Sequence, residues 1–192
     1  MPDNVAIDND FFVKLTEIKR HNDVNDLIRR FFQALDVLPH MHPLVMKNEW
    51  QAHSNTVGNR LFAEDVVHQL PLTKQFDEKP ALKSYYEQII REIYHDFTGE
   101  EAYPCGDIFT EWKAQKSLGE IHTVAACILL QWDCFLSDDK EAGKRLPKIV
   151  ANRAGGNIQV CSRAGACDTL RGKSAEERCG LTASDLNLLS HK

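Results

Sequence analysis

Four short apolar runs, at residues 4–8, 36–40, 133–137 and 158–161, alternate along this chain with longer segments whose apolar residues recur every three or four positions. That alternation limits the fold more than any other feature. A run of four or five buried residues cannot hold a structure alone. When such runs are separated by helices, each helix acts as the crossover between parallel strands and covers one face of the sheet. The expectation is therefore an α/β protein of three layers, with a short, mainly parallel central sheet and helices on both faces. In sheets of this kind ligands bind beyond the carboxyl ends of the strands. The residues just after each run therefore matter most.

The helical spacing is clearest at residues 80–97, where Leu82, Tyr85, Tyr86, Ile89, Ile90, Ile93 and Tyr94 share one side. Residues 11–35 show the same spacing through Leu27, Ile28, Phe31, Phe32 and Leu35. Pro43 suits the first turn of a helix that carries Val45, Met46, Glu49 and Trp50. A further apolar helix opens at Ser117 or Gly119 and ends near Trp132. Another begins near Asp139, and a terminal one includes Leu186, Leu188 and Leu189. Asp107 is placed to cap a short helix through Trp112. Residues 54–79 fit the pattern least. A helix at 58–69 is interrupted by Pro71 and a polar stretch at 74–79, which reads as flexible linkage or an insertion. The 192 residues suffice for one well-buried core, so a single domain over 1–192 is expected, with the insertion around 54–79.

No apolar run approaches the roughly 20 residues of a membrane span, and Met1-Pro2-Asp3-Asn4 lacks the basic and apolar regions of a secretion signal. A cytoplasmic protein with reduced thiols is expected. None of the six cysteines forms a Cys-x-x-Cys pair, and His40-x-His42 has no cysteine nearby, so structural zinc has little support. A net charge of −5 excludes a globally basic nucleic-acid binder and leaves room for a local basic patch.

The chemistry lies in the acids. Asp8 closes the first run, Glu49 lies on the helix after the second, Glu120 opens the apolar helix after Gly119, and Asp138 and Asp139 follow the run 134–136. Carboxylates about 4 Å apart repel by roughly 1 kcal/mol per pair in water and about 4 kcal/mol at an effective dielectric of 20. A gathered set therefore requires a counter-charge. Magnesium or manganese supplies one, being hard cations that take carboxylate and water oxygens. Taken singly, each acid also has a plain structural reading: a turn residue at Asp8, a solvated helix residue at Glu49, a dipole-complementing residue at Glu120, a capping turn at Asp138-Asp139. Their order and spacing together carry the metal reading.

In that order and context the chain resembles the PIN-domain family of metal-dependent nucleases, which includes toxin ribonucleases of toxin–antitoxin pairs. The matching segments are Val5-Ala6-Ile7-Asp8, Glu49 on the helix after strand two, Leu118-Gly119-Glu120-Ile121, and Ser137-Asp138-Asp139-Lys140. The resemblance implies a magnesium- or manganese-dependent endoribonuclease with Asp8, Glu49, Glu120 and Asp138 or Asp139 as metal ligands and catalytic residues. It implies RNA as substrate, with an antitoxin-like inhibitor protein and a homodimer as partners. The register favours Asp139 and leaves Asp138 open. Asp10 is an auxiliary acid or a solvated turn residue. Lys113, Lys116, Lys140 and Lys144 flank the acids and could hold a phosphate backbone. His122 is either a functional residue, as a phosphate contact or proton donor, or a neutral packed histidine.

Two rivals share these residues. Asp8-Asn9-Asp10 after a strand also looks like the Asp-x-Asp start of haloacid-dehalogenase-type phosphatases, with Asp8 as nucleophile, but that reading leaves Glu49 and Glu120 without a role. The other rival is a PIN-like module that binds RNA or protein with a degraded metal site.

Overall fold

The computed structural model describes residues 3–19, 21–50, 56–101, 103–104, 107–109, 117–154 and 157–191. Its centre is a five-stranded parallel sheet in the order β3-β2-β1-β4-β5, built from β1 (Asp3–Ile7), β2 (Val37–Met41), β3 (His68–Gln69), β4 (Cys134–Leu136) and β5 (Gln159–Cys161). The register runs Ile7 beside Met41 on one side of β1 and Ile7 beside Leu136 on the other. The expected α/β class with a parallel sheet and helices on both faces is what the chain forms.

Successive side chains of a strand point to opposite faces, and β1 shows how this divides the protein. Val5 and Ile7 enter one apolar cluster with α1 (Asn9–Thr16), α2 (Val24–Leu35), α4 (Thr56–Ala63), α9 (Arg163–Arg171) and α10 (Ala183–Ser190). Ala6 enters the other, with α6 (Pro80–Thr98), α7 (Leu118–Leu130) and α8 (Lys140–Ala154). The small Ala6 side chain suits this face, because α7 packs there through residues as small as Ala125 and Ala126.

Three regions differ from the sequence expectation. The helical stretch 11–35 is broken into α1 and α2. Between them lies a polar interval, and Asp23 takes a hydrogen bond from the Asp26 amide at 3.0 Å, starting α2 afresh. The described part of the segment read as flexible linkage or an insertion is structured, with α4, the edge strand β3 and α5 (Leu72–Glu78). Strand β3 is only two residues long, too short for alternation to reveal. After β5 there are two helices, α9 and α10, where one terminal helix is expected. The proposed helix through Trp112 falls partly outside the described residues, although Asp107 does accept the Phe109 amide at 2.8 Å. Among the described residues no helix is long and apolar enough to cross a membrane. Five of the cysteines are unpaired thiols, and Cys105 lies outside the described residues.

Candidate active site

The strand order reverses direction at β1: the chain moves from β1 to β2 on one side, and β4 pairs on the other. The carboxyl ends of β1 and β4 therefore flank the topological switch point, where parallel sheets leave a crevice. Asp8 and Ser137 stand there. The Asp8 amide donates to the Leu136 carbonyl at 2.9 Å, which fixes the end of β1 against β4. Asp8 occupies the N-cap position of α1, yet its carboxylate makes no capping bond. Among the described residues it accepts one hydrogen bond, from Ser137 Oγ at 3.3 Å.

Asp8 is 4 % exposed. Burial pushes its pKa well above the ordinary range, the negative charges of Glu120, Glu49 and Asp10 push it further, and the Ser137 hydroxyl offsets part of the rise. Every charge that acts strongly on Asp8 is thus acidic. Glu49 is raised to about 7, by burial first and then by Glu120 and Asp10. Three acids from sequence positions 8, 49 and 120 therefore converge on one edge of the sheet and feel one another.

Their carriers explain how. Glu49 follows β2 by way of α3 (Pro43–Val45), which passes into a π-helical turn, Met46–Trp50. A wider turn changes the direction in which its side chains leave the axis, and such turns are frequent at functional sites. Trp50, which ends the turn, is buried against Phe12 at 4.9 Å between ring centres and anchors it. Glu120 lies in the first turn of α7, and Gly119 before it is buried. A Cβ added to Gly119 would meet Glu49 Oε1 at 2.9 Å, closer than carbon and oxygen tolerate. Glycine is what allows α7 to begin against the Glu49 carboxylate.

A buried polar chain sets these two helices relative to each other. His42 Nδ1 accepts the Leu44 amide at 3.1 Å, so its Nε2 carries the proton and donates to Tyr86 Oη at 2.7 Å. Tyr86 Oη lies 3.2 Å from the His122 carbonyl and 3.3 Å from His122 Nδ1, while Tyr103 Oη is 2.6 Å from His122 Nε2. Burial keeps both imidazoles neutral: His122 falls to about 3 and His42 well below its usual value. The first residue of this chain starts α3 and the third lies two positions after Glu120. Of its two sequence readings, His122 fits the packed one. It is fully buried and faces tyrosines.

The late acids have other work. Asp138 accepts the Arg163 amide at 2.9 Å and Arg163 Nε at 2.6 Å, with Lys14 Nζ 3.7 Å away. Asp139 Oδ1 accepts the amides of Glu141 and Ala142 at 2.7 and 3.0 Å, capping α8. Neither is among the charges acting most strongly on Asp8. Asp10 is the further acid whose charge acts on Asp8, and its exposed carboxylate also pairs with Lys14 at 3.0 Å. The resemblance assigned the station by its place after the strand, and Arg163, arriving from β5 far along the chain, gave no sequence signal. Lys140 and Lys144 are exposed on α8, and Lys144 makes a surface pair with Glu141 at 3.4 Å. Lys113 and Lys116 lie outside the described residues. His40, the other half of the His-x-His pair, meets Asn4 Oδ1 at 3.0 Å and is held down to about 4 by burial.

The donor set suits a hard divalent cation: carboxylates raised by burial and mutual repulsion gain most from a positive charge, and all are oxygen donors. Asn9 Oδ1, next to Asp8 in sequence, is a buried acceptor without a hydrogen-bond donor among the described residues. Among the same residues no three His, Cys, Asp or Glu side chains lie within mutual reach of one ion, and like charges oppose any closer approach.

Compared with family models, with curated proteins and with solved structures, the chain matches none.

Proposed function

We propose that this protein hydrolyses RNA phosphodiester bonds with magnesium or manganese held by Asp8, Glu49 and Glu120, with Asp10 as a further carboxylate acting on the first two. The observation that carries the reading is the meeting of three acids from separate elements at the switch point of a parallel sheet, where Glu120 and Glu49 raise the proton affinity of Asp8 and Glu120 raises that of Glu49. A bound cation would neutralise that repulsion, polarise a phosphate and lower the pKa of a water. The protein's own part is to orient. Ser137 holds one face of the Asp8 carboxylate, the π-helical turn directs Glu49, and Gly119 lets Glu120 enter beside it. Glu49, raised to about 7, can also hold a proton at neutral pH.

The convergence of Glu49 and Glu120 with Asp8 favours this reading over the phosphatase, which has no use for either. The test is cleavage of single-stranded RNA with magnesium or manganese. Wild type is expected to cut, and Asp8→Asn and Glu120→Gln to lose more than about a hundredfold in rate, since even residues supporting a metal ligand contribute 10- to 100-fold. Variants that cut as fast as wild type would end the proposal. Trapping of an aspartyl-phosphate on Asp8 would replace it with the phosphatase.

A further inference from the structure

A second concavity lies on the same edge of the molecule and takes no part in holding the metal. It measures about 280 Å³ and opens between α3, α5, α6 and the turn at 107–109. Its wall is aromatic: the rings of Phe76, Tyr86 and Phe109 stand 5.4 to 6.0 Å apart, centre to centre. Its mouth is polar, with Thr73, Asp77 and Lys83 exposed there. Lys83 Nζ lies over the Phe109 ring at 4.4 Å, which sets an ammonium at the mouth beside the aromatic wall.

Size and lining narrow the occupant. Pockets for drug-sized ligands run from about 300 to 1,000 Å³, so this one suits a single planar fragment. An aromatic face invites stacking, and the rim offers one carboxylate, one hydroxyl and one ammonium to a ligand that carries donors and acceptors around a flat edge. An unstacked nucleobase has that form, and single-stranded RNA is recognised in this way.

Position ties the pocket to the carboxylates. His42 belongs to its lining and starts the helix that ends in the turn bearing Glu49. The seven positions from His42 to Glu49 span at most about 10 Å, taking the α-helical rise of 1.5 Å per residue as the upper limit for a segment that includes a wider turn, a gap that a short stretch of unstacked strand crosses. The His42 to Tyr86 hydrogen bond, 2.7 Å long and fully buried, joins the pocket wall to that helix. We propose that this pocket receives one unstacked base of the RNA strand whose phosphate lies at Asp8, Glu49 and Glu120. The inference rests on the nuclease reading and adds to it a subsite that recognises the strand.

The experiment uses the full chain carrying Asp8→Asn, so that RNA is bound without turnover. A short fluorescein-labelled single-stranded RNA of mixed sequence is titrated, and the same strand with 4-thiouridine is photo-crosslinked and the attached peptides identified by mass spectrometry. Crosslinks are expected in the α5–α6 region that holds Phe76 and Lys83. Adding Phe76→Ala is expected to weaken binding about tenfold, as for loss of one stacking platform, with Phe76→Tyr retaining it. Crosslinks confined to other peptides overturn the inference whatever Phe76→Ala does to binding, which covers a variant that merely unfolds. Nucleoside monophosphates that compete as well as the strand would make this a free-nucleotide site and also overturn it. RNA that crosslinks here but is never cut by wild type would remove the nuclease reading and leave the base pocket. RNA that is cut but crosslinks elsewhere would do the reverse.

Discussion

Two groups of carboxylates sit on the same edge of the sheet and differ in their company. Asp8 and Glu49 both lie in the field of Glu120 and Asp10, and among the described residues one hydroxyl, that of Ser137, bonds to Asp8. Asp138 and Asp139 are held by an arginine and by helix amides. The first group stores repulsion that a cation or proton relieves. The second has already spent its charge on structure, so position at the end of a strand does not by itself make an aspartate reactive.

The largest expected effect lies in the second group. Arg163 is 2 % exposed and its partner nearly buried, and breaking such a pair by removing one member typically costs about 3 to 5 kcal/mol. Asp138→Ala should therefore lower the stability measured by denaturant unfolding by about that amount. Asp8→Asn in metal-free buffer should leave stability unchanged or increase it, since it removes a buried charge opposed by its neighbours. If Asp8→Asn proves the more damaging of the two, the contrast is lost.

The pH dependence of the metal-free protein should show the same division. A carboxyl whose folded pKa lies above its unfolded value binds more protons when folded, so it favours the folded state at low pH and loses that contribution as pH rises. For Glu49 the window runs from its ordinary 4.5 up to about 7, and Asp8 acts in the same direction from 3.8 upward. Thermal midpoints in EDTA should thus fall between pH 5 and pH 8, and magnesium or manganese should flatten the fall. A midpoint that rises over this interval would contradict the placement of these acids.

Gly119→Ala would test how closely they approach. The new methyl would press on Glu49 Oε1, and a shift of that carboxylate should lower RNA cleavage about tenfold, with thermal stability little changed because alanine favours a helix by roughly 0.5 to 1 kcal/mol over glycine. Unaltered cleavage would show that Glu49 has room to move. The smallest effect belongs to Asp139→Ala, which removes the cap of α8 and should cost about 1 kcal/mol. Asp139→Asn should recover most of that in the same unfolding measurement.

Much of this was legible in the sequence. Hydrophobic period alone located β1, β2, β4 and β5 to within a residue or so at each end, along with the helix 80–98, and the alternation of the two periods implied the parallel sheet. Asp8, Glu49 and Glu120 could be singled out by their order and spacing and by the family resemblance, since each taken alone reads as an ordinary structural residue. Strand β3 escaped because two residues have no period. The break between α1 and α2 escaped because an apolar stripe can resume in phase across a polar interval. What the tertiary structure alone decided is which acids keep company. Arg163 reaches Asp138 from 25 positions away, and Gly119 meets Glu49 across 70 residues of chain. Charge interactions depend on distance and on the donors within reach, and for groups far apart in sequence only the folded chain sets either.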